Sequence, residues 1–164
     1  ATIQTSSNVD AHIPGDYAVT YTVSDGYNPI TSTRAVRVVD TTPPVIVSAS
    51  VNPTSLWPPN HKMVPVRVSA VVTDECGPAT WEILSISSNE AVNATGSGNT
   101  SPDWRITGDE TALVRAERSG KNKAGRIYTI TVEGKDKKGN VYLCSTTVSV
   151  PKNAPPKTKK GGKK

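Results

Sequence analysis

The chain has no phenylalanine, one methionine, two histidines and two cysteines among its 164 residues. No stretch of it approaches the 18 consecutive apolar residues that a membrane-spanning helix requires. Nor does any window space its apolar residues by threes and fours over three turns, so the sequence predicts essentially no helix. The first residues lack the basic-then-apolar layout of a secretory leader. Two histidines, His12 and His61, with no plausible nucleophile beside either, give catalysis little to work with. GxSxG, HExxH and phosphate-loop patterns are missing, and the adjacent carboxylates Asp109 and Glu110 follow Gly108 in an expected turn. The sequence therefore predicts a protein that is not an enzyme, with no catalytic residues.

What is abundant points to β-structure. Thirteen prolines and 12 glycines accompany a supply of Val, Thr and Ser, which suits many short strands joined by turns. One pattern occurs twice. Residues 13–40 read IPGDYAVTYTVSDGYNPITSTRAVRVVD, and residues 124–151 read AGRIYTITVEGKDKKGNVYLCSTTVSVP. Each has a Gly shortly before a Tyr (Tyr17, Tyr128), then apolar side chains at every second position. Each reaches an Asp (Asp25, Asp136), turns through Gly and Asn, and returns as a strand. The second copy has a full set of predicted strands ahead of it and the first barely a dozen residues. The expectation is that the chain opens inside a domain.

The fold class predicted is all-β: an Ig-like antiparallel β-sandwich over residues 42–151, preceded over residues 1–41 by the C-terminal part of a similar domain, about three strands. Asp40-Thr41-Thr42-Pro43-Pro44 acts as the hinge, because tandem prolines cannot donate to a ladder. The cleanest alternation is at Met63–Thr73, where Val64, Val66, Val68, Ala70 and Val72 face inward and Val71 is out of phase. Residues 152–164 form a tail expected to be flexible. It carries six of the lysines and no acid, so the net charge of +5 belongs to the tail and the body is near neutral. That excludes the basic stripe of a nucleic-acid-binding face from the folded part. The tail suits an anionic polysaccharide or an acidic groove, or equally a solvated end.

Two resemblances cover nearly everything except that tail. The first copy with its VDTTPPVI junction resembles bacterial Ig-like repeats of secreted surface proteins, of the hyalin-repeat and cadherin-like kind. The segment SLWPPNHKMVPV, with ISSNE, NTSPDW, LVRAERSG and RIYTITVEGKDKKGN, resembles a sandwich domain near the C-terminus of multidomain bacterial exoproteins. The resemblance implies an extracellular or cell-surface β-sandwich module and transfers no catalytic residue.

Within that frame Cys76 and Cys144 fall at the same end of an Ig-like sandwich, and the extracellular resemblance favours a disulfide between them. It would close a loop of about 68 residues, a constraint of roughly 4 kcal/mol. Trp57, in an aromatic-proline loop with His61, offers a stacking surface for a sugar or peptide, or else plugs the open end of the sandwich; Trp104 is the other stacking candidate. Asp74, Glu75, Asn89, Glu90 and Asp103 are loop oxygens that could gather around calcium, although no spacing matches a calcium loop and no metal site is assigned. Asn93 and Asn99 head two glycosylation sequons.

Three predicted strands cannot fold alone, and the row Tyr17, Val19, Tyr21, Val23 would face water unless polypeptide covers it. The sequence therefore favours a non-catalytic structural module that self-associates or packs on a neighbouring Ig-like domain through its sheet edges, as in a surface filament. The alternative is a carbohydrate-binding or adhesion accessory module.

Overall fold

The computed structural model describes residues 2–93, 95–98 and 100–154. Among the described residues the regular structure is ten strands and no helix: β1 (Thr2–Ser7), β2 (Gly15–Ser24), β3 (Pro29–Val38), β4 (Val45–Asn52), β5 (Met63–Thr73), β6 (Ala79–Ser88), β7 (Trp104–Gly108), β8 (Thr111–Arg115), β9 (Arg126–Asp136) and β10 (Val141–Val150). None of the described residues forms a helix long and apolar enough to cross a membrane.

β4 to β10 form a two-sheet antiparallel sandwich. One layer has the order β4-β5-β8-β7 and the other β10-β9-β6. This is the strand order of a constant-type immunoglobulin domain. Period-two patterning drives the packing: Val66 and Val68 of β5, Val114 of β8, and Tyr128, Ile130 and Val132 of β9 are buried against one another. Val71, out of phase, lies on the outer face and is exposed. Pro65 is tolerated in β5 because β4 already ends opposite Arg67, leaving no ladder on that side for the missing N–H.

Residues 54–56 run along the free edge of β10. Leu56 N–H donates to Ser149 O at 2.8 Å and Ser149 N–H to Thr54 O at 2.9 Å. Leu56 is thereby driven into the core, whereas Trp57 remains 42% exposed. The side chain that closes this end of the sandwich is therefore Leu56.

β1, β2 and β3 form a separate three-stranded sheet in the order β1-β2-β3. Tyr17, Val19, Tyr21 and Val23 do share one face, as their alternation requires, with Ile3 beside Val23 on β1 and Val36 beside Tyr17 on β3. None of the residues in this sheet is buried.

Candidate functional site

The segments SLWPPNHKM, ISSNE, NTSPDW, LVRAERSG and RIY converge on one buried polar cluster. At its centre Arg126 is fully enclosed. It donates from Nη2 to Asp103 Oδ2 at 2.5 Å and from Nε to Ser88 Oγ at 2.8 Å, with its guanidinium 4.7 Å from the centre of the Tyr128 ring. Glu117, also enclosed, lies 3.7 Å from Arg126 Nη1 and accepts from His61 Nδ1 at 3.0 Å and from Thr100 Oγ1. Burial alone pushes the Glu117 carboxyl up, but hydrogen bonds from His61, Thr100 and Ser97 outweigh it and hold it below its ordinary value. Arg115 closes the cluster by donating to the carbonyls of Pro102 and His61.

These contacts decide the roles of several sequence candidates. His61 has a left-handed backbone (φ 63°), its side chain is bound to a buried carboxylate, and its ring lies against Gly98. Trp104 stands edge-on to Tyr128, ring centres 6.1 Å apart, and packs on the core. Of the three stacking candidates, His61 is half exposed but tied to Glu117, and Trp57 keeps an accessible ring beside a cavity of about 200 Å³ lined by Pro53, Leu56, Pro58 and Val64.

The carboxylates and amide considered for calcium are split between two ends. Asp74 and Glu75 precede the ten-residue β6, and Asn89 and Glu90 follow it. A strand of that length spans about 30 Å. Glu90 is occupied by Ser119 N–H and the Asn122 amide, Asn89 by Gly125 O and Ile127 N–H, and Asp103 by Arg126. These five do not gather at one place.

Asp74 instead meets Asp40 and Cys76 at the hinge, one ligand atom from each within 4.8 Å of the others. Burial, and then the charges of Asp40, Asp74 and Glu75, push the Cys76 thiol up, so that at neutral pH it stays protonated. Two carboxylates fall well short of the six to eight oxygens that calcium takes.

Cys76 and Cys144 are both free thiols, and the expected disulfide is not formed. Cys76 lies in the loop ahead of β6, near the rung where Ala79 faces Asp136. Cys144 faces Val132, four rungs along β9. That separation is about 13 Å, roughly twice what a disulfide bridges. Asn93 is exposed in a turn and tolerates its positive φ of 57°, as Asn does. Asn99 lies outside the described residues, as do all the tail lysines but Lys152.

The remaining candidate is a surface, the face of β1-β2-β3. Its apolar side chains include Ile3, 66% exposed, and Ile30, 75% exposed, with Tyr27 at the hairpin tip 91% exposed. The corresponding strand of the sandwich, β9, has Tyr128, Ile130 and Val132 at 0%. The same pattern of residues is thus fully buried in β9 and only half-buried in β2.

Comparison with known proteins adds a fold-level likeness and nothing further. No protein family matches the chain, and no curated protein is similar to it in sequence. Among solved structures it is similar to human protocadherin-24 EC1-2 at 20% identity and a TM-score of 0.37, over 85% of this chain and 67% of that one. Human desmocollin-1 ectodomain gives 20% and 0.30, over 87% and 24%. Mouse protocadherin-24 EC1-3 gives 19% and 0.34, over 82% and 44%. At such identities and scores no activity, ligand or partner is transferred.

Proposed function

We propose that this chain is a non-catalytic structural module of a bacterial surface protein or filament, acting outside the cell and associating through the edges of its β-sheets. One observation carries the reading: the apolar face of β1-β2-β3 is only partly covered, although it repeats the pattern that β9 and β10 bury. Among the described residues, β1 and β3 each have a strand on one side only, so both edges offer unpaired backbone groups to an incoming strand. The Lys-rich tail adds a salt-sensitive attachment to anionic polysaccharide. Sedimentation velocity across a range of concentrations, with negative-stain microscopy, tests the module: concentration-dependent oligomers or filaments are expected. A chain that stays monomeric and fully folded at every concentration contradicts it. Loss of residues 152–164 should weaken binding to anionic polysaccharide and leave the oligomers intact.

A second reading, an accessory carbohydrate-binding module, is favoured by the accessible Trp57 ring beside its cavity. Glycan-array binding lost in Trp57→Ala, with Tm unchanged, supports it; binding that survives the substitution rejects it.

A further inference from the structure

The two three-stranded sheets match rung for rung. Tyr17 faces Val36 as Tyr128 faces Val148, Val19 faces Arg34 as Ile130 faces Thr146, and Tyr21 faces Ser32 as Val132 faces Cys144. On the other side β1 holds the place of β6: Ile3 faces Val23 as Trp81 faces Gly134, and Thr5 faces Tyr21 as Ile83 faces Val132. Along the chain, however, the strand immediately ahead of β9 is β8, which belongs to the opposite layer. β8 ends at Arg115 and β9 begins at Arg126; β1 ends at Ser7 and β2 begins at Gly15. β1 therefore has the sequence position of β8 and the spatial position of β6. The two tyrosines mark the difference. Tyr128 Oη donates across the sandwich to Arg115 O at the end of β8, at 2.8 Å. Tyr17 has no strand there and donates to Ile13 O, four residues back, at 2.7 Å.

We infer that the β1-β2-β3 sheet receives a four-stranded complement from polypeptide outside residues 1–164, equivalent to β4, β5, β6 and β7. On docking, β1 leaves β2 and joins the facing layer as β8 does. This rests on the edge-association reading and names its partner. The complement must present alternating apolar residues, because Val19, Tyr21 and Val23 correspond to the enclosed row of β9. It must also bring a carboxylate. The face carries Arg34 and no acid, and an unpaired guanidinium covered by apolar side chains would be strongly unfavourable. A second copy meeting this one face to face brings another Arg34 and still no acid. Its own β4 to β7 are already engaged in its sandwich.

The test uses the native assembly, with the photo-crosslinker p-benzoylphenylalanine at Val19 on the apolar face or at Ala18 on the opposite face. Val19 is expected to crosslink to residues two apart in strands outside residues 1–164 that carry an Asp or Glu on the same face, and Ala18 is not. Arg34→Glu should lower the yield about tenfold, whereas Arg37→Glu, on the other face of β3, should not. A disulfide between Gln4→Cys and Thr22→Cys, which face each other, locks β1 to β2. In a Cys76→Ser, Cys144→Ser background it should abolish the crosslink until reduced. Crosslinks falling within residues 2–38 of a second copy overturn the inference. So does a Val19 yield no higher than that of Ala18, or an oxidised variant that crosslinks as well as the reduced one. If oligomers form while the β2 amides exchange as fast as in the isolated chain, edge association stands and the complement is wrong. If no oligomer forms and Val19 crosslinks to nothing outside residues 1–164, both fall.

Discussion

Arg126 and Asp103 form a fully enclosed ion pair, Nη2 to Oδ2 at 2.5 Å, that joins the start of β9 to the residue preceding β7. Asp103 Oδ1, Glu117 Oε1 and Arg126 Nη1 have no hydrogen-bond partner among the described residues; the ion-pair separations from Arg126 to Glu117 and from Arg115 to Asp103 are 3.7 and 3.8 Å. A pair so placed contributes less to net stability than to holding the strands in one arrangement, but losing one member leaves a buried charge exposed to an apolar interior. Arg126→Ala leaves two carboxylates without their cation and should lower unfolding free energy by about 3–5 kcal/mol. Urea denaturation measures it; a loss below about 1 kcal/mol would show that water reaches the site.

Acid should unfold the sandwich through carboxylates at both ends of β9. Glu117 ionises below its ordinary 4.5, and Asp136 below its ordinary 3.8 because the Asn140 side chain and the N–H groups of Asn140, Lys138 and Gly139 outweigh its burial. A carboxyl depressed in the folded state stabilises it above the unfolded value, and that contribution is lost as pH falls through the folded one. Tm should therefore hold above about pH 5 and fall steadily below about pH 4. Glu117→Gln should flatten the slope; an unchanged slope would clear Glu117 of the effect.

Two glycines should be intolerant to different degrees. At Gly98 (φ +98°) an added Cβ comes within 2.7 Å of the His61 ring, and at Gly125 (φ +84°) within 2.6 Å of the Val150 carbonyl. The His61 side chain, half exposed, can turn away; the Val150 backbone, paired to Arg126, cannot. Both Ala variants carry left-handed strain of about 1–3 kcal/mol, with Gly125→Ala the costlier. Thermal unfolding of the two reads the order directly.

The thiols should be silent. Burial pushes Cys144 up, and burial with neighbouring carboxylates pushes Cys76 up. Dithiothreitol is expected to leave Tm unchanged, and denaturation without reductant should expose two alkylatable cysteines. A mass spectrum showing neither alkylated would reveal a bond.

Trp104→Ala should cost about 2–4 kcal/mol, because the ring packs on Tyr128 and the core, while Trp57→Ala costs under about 1 kcal/mol. Equal losses would mean that Trp57 is packed.

Local pattern and tertiary arrangement divide the credit unevenly. Alternation along Val64–Val72, the paired Tyr-to-Asp hairpins and the turn residues determined which segments are strands and which side of each is apolar, because a side-chain period of two is a property of the chain itself. The sequence also marked LWPPNHKM, NTSPDW and LVRAERSG as unusual, but could not say that they meet around Arg126. That takes packing the β10-β9-β6 layer against the β4-β5-β8-β7 layer, so that Asp103, Glu117 and His61, separated along the chain, reach one guanidinium or its partner. The same long-range arrangement buried Leu56 rather than Trp57 and set Cys144 four rungs from the loop of Cys76. It also put β1 beside β2. Pattern decides what each strand offers; only the packing of distant strands decides what each side chain meets.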